Sequence, residues 1–440
     1  MHPIEVAAIG LLIVAFAAVS MRIEHWPLTM PMVFVGAGML TEAIGVVDLT
    51  PDTEAISLIA EVTLAVILFS DAVRIDMKRL RRQLEIPLRL LAIGMPLTII
   101  LGTVLNSLLF PESGWVTVAL LAAVLAPTDA ALGSAVIEDE SVPVRERLAL
   151  NVESGVNDGL AVPVVTILTA LLLQESRSTA QWGWFVIQQI GFGVAIGAAI
   201  GGGTIAVLRW SNGRGWSDTR YEQLATFVVP LVALFGAEVV SGNSFIAAFA
   251  AGLAFGSFRS PHDEPPPILS VRLGEFTEDA AQLFGIAAFF VFGNVLLAEA
   301  LSQLTVPVVF CALVTLTVGR MLPVWVALIG TDLRPRSRLF LGWFGPRGLA
   351  SIVFGLLLLE DTEALSDVGE QIFGVIALTV AASILLHGAT AAPGAGAYGR
   401  WAERTVQAGD EAERRSMVME SELTDEQRKL IPKSRWSARN

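Results

Sequence analysis

About thirteen stretches of roughly 20 apolar residues recur along the chain, beginning near positions 4, 27, 54, 86, 115, 148, 184, 221, 243, 275, 305, 338 and 370. Twenty residues of helix rise about 30 Å, the depth of a bilayer's hydrocarbon core. Inside hydrocarbon every backbone polar group must be satisfied within the structure, so only helices and closed barrels can span it. Runs of this length therefore predict an all-α polytopic membrane protein. The bulk composition agrees: 54% hydrophobic residues, 16% charged residues and a mean hydropathy of +0.64 leave no large soluble domain.

Basic residues set the expected orientation, because short cytoplasmic loops are enriched in Lys and Arg. Arg74, Lys78, Arg79, Arg81 and Arg82 follow the third span, and Arg145, Arg209, Arg259 and Arg334 follow spans five, seven, nine and eleven. Arg177 is the exception on the opposite side. An odd number of spans then places the N-terminus outside and the C-terminus in the cytoplasm, with the protein in the cell (inner) membrane. Residues 1–396 form the transmembrane domain in this reading, and residues 397–440 a charged cytoplasmic tail, solvated or in a dimer contact. No basic residue precedes the first span as a signal peptide would require, so that span is expected to be retained. Cys311 is the single cysteine, which excludes an intramolecular disulfide.

The net charge of −13 includes a cluster on an expected outer turn, Glu360, Asp361, Glu363, Asp367 and Glu370. Such a patch concentrates cations at an entrance or simply solvates a loop. Glycine-rich stretches at 191–203 and 251–256 fit close helix packing. No G-x-x-x-x-G-K-[ST] loop or dinucleotide fingerprint follows a strand, so neither nucleotide nor nucleic acid is expected as a partner.

The functional signal lies in charges where charge is costly. The run LALNVESGVNDGLAVPVVTILTALLL at 148–173 holds Glu153, Asn157 and Asp158. An acid at the centre of a spanning helix costs about 2.5–3.5 kcal/mol, so intramembrane carboxylates mark ion or proton paths. Counted from the cytoplasmic helix ends at 1.5 Å per residue, Asp129, Asp158, Arg320 and Arg347 fall at similar depth on four different spans. Span five reads AVLAPTDAALG and span twelve LGWFGPRGLAS, each with a proline beside its charge. Pro127 and Pro346 remove helix hydrogen bonds there, predicting that both helices unwind. An acid neutralises the N-terminus of a broken helix and a base its C-terminus, roles open to Asp129 and Arg347.

The stretches LFSDAVRID (68–76), APTDAALG (126–133), ESGVNDG (153–159), TVGR (317–320) and GWFGPRGLAS (342–351), in this order and spacing, resemble bacterial monovalent cation:proton antiporters of the NhaP-type sodium/proton exchanger branch. The resemblance covers roughly residues 4 to 392. It implies thirteen helices, with spans one to six and eight to thirteen as inverted six-helix repeats and spans five and twelve as discontinuous crossing helices. It also implies a homodimer whose core domains move against a fixed dimerisation domain. No cofactor is implied; the partners are Na⁺, Li⁺, protons and the bilayer.

Position by position, the family pattern makes Asp158 the main carboxylate for cation and proton, with Thr128, Asp129 and Ser154 completing a transported-Na⁺ site. Hard cations take oxygen ligands, and Ser154 and Asp158 share a helix face at i, i+4. Glu153 is expected to pair with Arg320, whose guanidinium cannot shed its charge, while Asn157 and Arg347 complete the polar core. Asp129 read as a cap alone, and Thr128 and Ser154 as hydroxyls bonded back to helix carbonyls, are the alternatives. Asp71 fits an acid facing a cytoplasmic funnel, or a polar helix end; Glu61 fits a further polar site or the dimer interface. His387 reads as a hydrogen-bonded core residue.

Desolvation favours the protonated form of a carboxylate, which must lose that proton to hold a cation. Competition of this kind couples the two movements, and Asn157, in place of the second aspartate of some antiporters, favours electroneutral exchange by analogy. A K⁺/H⁺ antiporter is the near alternative. From another class, an intramembrane aspartyl-type hydrolase would need Asp129 and Asp158 close enough to share a proton, and a passive cation channel would conduct without obligatory proton exchange.

Overall fold

The computed structural model describes residues 3–23, 28–47, 49, 54–75, 85–173, 179–257, 268–302, 304–360 and 369–407, and among these every regular element is helical. Lys78, Arg79, Arg81, Arg82, Arg177 and Arg259, the acids Asp361, Glu363 and Asp367, and the tail beyond Gln407 lie outside the described residues.

The first block comprises α1 (Pro3–Ile23), α2 (Met30–Ala43) and α3 (Glu54–Arg74). Next come α4 (Glu85–Leu109), the short helices α5 (Trp115–Val124) and α6 (Ala130–Ile137), and the long α7 (Val144–Leu172). A middle group holds α8 (Ala180–Asn212), α9 (Thr219–Val239), α10 (Ser244–Ser257) and α11 (Ile268–Val291, continued through a π-helical turn at Phe292–Leu297 to Ala298–Ser302). The chain closes with α12 (Val306–Ala327), the short α13 (Pro335–Trp343) and α14 (Leu349–Glu360), and α15 (Gly369–Gln407). Among the described residues, seven helices are long and apolar enough to cross a membrane by themselves, and shorter apolar helices accompany them. Each apolar stretch read from the sequence coincides with one helix or with one of the two broken pairs, α5/α6 and α13/α14. The last helix runs on past residue 396 to Gln407.

Three larger apolar clusters and one small one, Ala65 with Leu234 and Ala248, hold the described helices. One gathers side chains of α2, α3, α5, α11, α14 and α15 around the far half of α7, including Ala161, Val162 and Val165. A second packs Ala149 and Leu150, at the near end of α7, among residues of α4, α12, α13 and α15. In the third, α3, α8, α9 and α10 meet through Phe69, Ile205, Ala233 and Ala251. The glycine-rich stretches make that third contact close. A β-carbon on Gly197 or Gly201 would sit 2.8 or 2.7 Å from a backbone carbon of Ala247 or Ala251, and one on Gly256 2.7 Å from the Val73 carbonyl. Backbones approach this closely only where side chains are absent, as in small-residue interfaces between membrane helices.

Loops expected on one side of the membrane do meet. Arg145, at the start of α7, pairs with Asp332 in the α12–α13 turn at 2.5 Å, and Arg89 donates to the Ile329 carbonyl in the same turn. At the other end of α7, Thr166 receives a hydrogen bond from Asn243 Nδ2, ahead of α10, at 2.9 Å.

Candidate functional site

The site begins where the two broken pairs cross. Helix α5 ends at Val124 and α6 starts at Ala130, while α13 ends at Trp343 and α14 starts at Leu349, so each proline lies in the gap expected of it. The segments touch through backbone, Asp129 N–H donating to the Pro346 carbonyl at 2.8 Å. Residues 125–129 are buried throughout, so their freed polar groups need partners.

Asp129 supplies one set. Its Oδ1 accepts from the N–H groups of Ala131 (2.7 Å) and Leu132 (3.3 Å), and its Oδ2 from that of Leu349 (2.7 Å). One carboxylate thus caps the N-termini of both α6 and α14, where the helix dipole also favours negative charge. Arg347 does the converse: its Nη1 donates to the carbonyls of Ala126 and Pro127, just beyond the C-terminus of α5. The Arg347 side chain is fully buried, and its own N–H donates to Ser383 Oγ of α15 at 2.7 Å. Ser351 Oγ donates to the Val124 carbonyl at 2.7 Å.

This crossing fixes residue 348 as glycine, because a β-carbon there would lie 2.6 Å from Cγ of Asp129. Gly348→Ala is expected to push the carboxylate off its caps, at about 1–3 kcal/mol of overpacking. A thermal melt in detergent should show a lowered midpoint, with Gly36→Ala, where a β-carbon meets nothing within 4 Å, as the unshifted control.

Helix α7 presents its polar face to the crossing. Thr128 Oγ1 shares a hydrogen bond with Ser154 Oγ (3.1 Å) and accepts one from Asn157 Nδ2 (2.7 Å). Asp158 is 6% exposed, and its Oδ1 has no hydrogen-bond partner among the described residues; the same holds for Asn157 Oδ1. The carboxylates that act electrostatically on Asp158 are Asp71 and Asp129. Asp71 lies beside Gly155, where an added β-carbon would be 3.8 Å from Asp71 Cβ. Carboxylate, hydroxyl and amide oxygens therefore converge from α3, the α5/α6 gap and α7.

Glu153, on another face of α7, makes the expected ion pair: Arg320 Nη1 and Nη2 donate to Oε1 and Oε2 at 2.6 and 2.7 Å, both side chains buried. Glu61 lies ten residues before Asp71 on α3, about 15 Å along the axis and away from the cluster. His387 is buried, its Nδ1 3.0 Å from the Ser383 carbonyl and 3.1 Å from Ser383 Oγ, its ring against Trp343. Among the described residues, no group of three or more His, Cys, Asp or Glu residues could hold a metal ion.

Ser351 and Ser383 were not singled out from the sequence. A single hydroxyl in an apolar helix carries no periodic signal, and the one available clue for Ser351 is its place four residues after Arg347.

The sequence profile described as "Sodium/hydrogen exchanger, transmembrane" matches residues 9–395. The chain belongs to this sodium/hydrogen exchanger family. Members of the family are transporters rather than enzymes, so the hydrolase reading falls. Similar to this exchanger-family chain is the Na⁺/H⁺ antiporter ApNhaP of Aphanothece halophytica, 27% identical over 386 residues, 85% of this chain and 71% of that protein. The K⁺/H⁺ antiporter NhaP2 of Shewanella baltica (strain OS223) is 25% identical over 336 residues, 74% of this chain and 55% of the relative, so the chain spans about half that relative's length. In fold, the exchanger-family chain resembles the sodium proton antiporter MjNhaP1 of Methanocaldococcus jannaschii at pH 8, with a TM-score of 0.70, 20% identity, and coverage of 90% of this chain and 98% of the other.

Proposed function

We propose that the protein exchanges a monovalent cation, Na⁺ first and Li⁺ with it, for protons across the cell membrane, and that Asp158 is the group both ions compete for. The observation that carries this reading is the buried Asp158 oxygen without a hydrogen-bond donor, set beside Thr128, Ser154 and Asn157 at the crossing of two broken helices in a sodium/hydrogen exchanger chain. Such an oxygen is satisfied by a proton or by a hard cation, and one site does not hold both. Asp129 joins as a second ligand through lone pairs its three backbone donors leave free; Thr128 and Ser154 contribute hydroxyl oxygens. Asp71 forms the approach from the cytoplasm.

The charge balance supports one-for-one exchange. Asp158, Asp129, Asp71 and Glu153 stand against Arg320 and Arg347, four acids to two bases. A proton or a monovalent cation at Asp158 adds the same single positive charge to this set, so the two loaded states cross the bilayer at similar electrostatic cost. In the proposed cycle the broken-helix core carries this site past α3 and α10 in a homodimer of thirteen-span protomers, N-terminus outside, C-terminus inside. Residues 1–396 perform transport and 397–440 form the cytoplasmic extension. Potassium is the second reading, favoured by the K⁺/H⁺ relatives.

The test uses the full chain in sealed liposomes loaded with a pH dye, with Na⁺, Li⁺ or K⁺ added outside. Alkalinisation of the lumen driven by Na⁺ and Li⁺, undiminished when the membrane potential is clamped, is the expected result. Response to K⁺ alone selects the second reading. Silence with every cation between about pH 6 and 9 removes the antiport proposal altogether.

A further inference from the structure

The turn joining α8 to α9 is a built structure with an exposed use. Gly215, at φ +68°, lets the chain reverse, and the N–H groups of Arg214 and Trp216 both donate to the Ser211 carbonyl, at 3.1 and 3.0 Å. Glu222, buried in the first turn of α9, ties the turn down: its Oε1 accepts from Asn212 Nδ2 at 3.1 Å and from the Ser217 hydroxyl. A turn fixed in this way holds its side chains in one arrangement. It places the Arg214 guanidinium 4.2 Å from the Trp210 ring centroid and 5.7 Å from that of Trp216, with the two indoles edge to face at 5.1 Å.

All of this faces outward: Trp210 is 51% exposed, Trp216 68% and Tyr221 71%. Arg214 and Arg220 are exposed and carry no ion pair among the described residues. The nearby Asp218 is turned back on α9, accepting from the Arg220 N–H at 2.9 Å. From the cluster, exposed apolar side chains continue at helical spacing along both helices, Val207 one turn before Trp210 on α8, and Leu224 and Val228 after Tyr221 on α9. The Arg214 guanidinium donates from Nη1 to the Trp210 carbonyl at 3.4 Å, and its remaining N–H groups suit the oxygens of a phosphate. Tryptophan and tyrosine settle at the depth of lipid headgroups.

We propose that the α8–α9 turn is a binding site for an anionic phospholipid, its phosphate on Arg214, its glycerol backbone against the exposed surfaces of Trp210 and Trp216, and an acyl chain along Val207 or along Leu224 and Val228. The occupant is a lipid rather than a soluble phosphate because the apolar stripe leads from the guanidinium along helices that cross the membrane. It is anionic because the two exposed arginines offer positive charge with no ion pair among the described residues. The site lies apart from Asp158 and does not depend on the transport reading.

The experiment is native mass spectrometry of the full, delipidated protein titrated with phosphatidylglycerol or phosphatidylcholine of identical chains, and with glycerol phosphate. Phosphatidylglycerol adducts should exceed phosphatidylcholine adducts by roughly tenfold, because both headgroups carry the phosphate but choline adds a positive charge beside Arg214 and Arg220. Arg214→Gln should bring the ratio to about one, Arg214→Lys should retain part of it, and Trp216→Ala should weaken both lipids. Thermal melts first establish that each variant is folded. Equal adducts of both lipids on the wild type, phosphatidylglycerol held as well by folded Arg214→Gln, or displacement of bound lipid by glycerol phosphate would each overturn the proposal.

Discussion

Asp158→Asn protein reconstituted in liposomes shows no cation-driven proton movement above that of protein-free vesicles, yet melts at or above the wild-type temperature. Both halves follow from the same oxygen. Asparagine keeps the size of the side chain but neither takes up a proton nor carries the charge that holds a monovalent cation, so exchange ends with the group both ions share. Stability is spared because Asp158 Oδ1 satisfies no donor among the described residues, and removing an uncompensated buried charge relieves a cost instead of adding one. Asp129→Asn behaves differently. Both of its oxygens already accept backbone N–H groups from two helix ends, and an amide nitrogen pointed at Ala131 or Leu349 leaves a buried donor facing a donor. That variant lowers the melting temperature, whereas Asp158→Asn separates function from folding. A fall in melting temperature for Asp158→Asn with exchange intact would make Asp158 a structural acid and move the site elsewhere.

This difference between two aspartates at one crossing shows what a sequence can carry. That both lie at membrane depth, beside a broken helix, follows from counting residues and from Pro127 and Pro346. Which one is spent on capping depends on where α14 begins relative to α6, a contact between residues 220 apart in sequence. Proline alone does not write a break either. Pro163 and Pro230 lie inside continuous helices. What distinguishes the two gaps is a charged residue within two positions of the proline, able to satisfy the backbone groups set free, and a second gap that supplies them.

Helix periodicity was similarly incomplete on α7. Spacing pairs Ser154 with Asp158 and Glu153 with Asn157, but the second pair divides: Glu153 turns to α12, Asn157 to Thr128. A helix packed on two sides sends neighbouring polar residues to different partners, and i, i+4 spacing does not say which. Asp71 falls at the cluster through its place in the sequence, while Glu61 on the same helix does not, because helical rise separates them. The buried Tyr398, whose hydroxyl lies within hydrogen-bond distance of Glu146 (3.1 Å) and Ser337 (2.7 Å) between α15, α7 and α13, had no local signature.

The largest loss of stability is expected from breaking the Glu153–Arg320 pair. Glu153→Ala strands a guanidinium that cannot deprotonate, in a layer where Arg347 already adds positive charge, and removal of one partner from a buried ion pair costs about 3–5 kcal/mol. The variant should melt well below wild type in detergent and insert poorly. If the pair serves structure, removing both charges together repairs the damage: Glu153→Leu with Arg320→Met replaces a desolvated pair with apolar groups of similar volume, a change that is neutral or stabilising in comparable cores. The same double substitution takes away one acid and one base, so the net charge facing Asp158 is unchanged and exchange should persist with its one-for-one balance. A folded double variant without exchange would mean that Glu153 takes part in ion or proton movement. A double variant as unstable as Glu153→Ala would mean that the pair's geometry, including the Arg320 guanidinium packed on Gly345, is what the crossing requires.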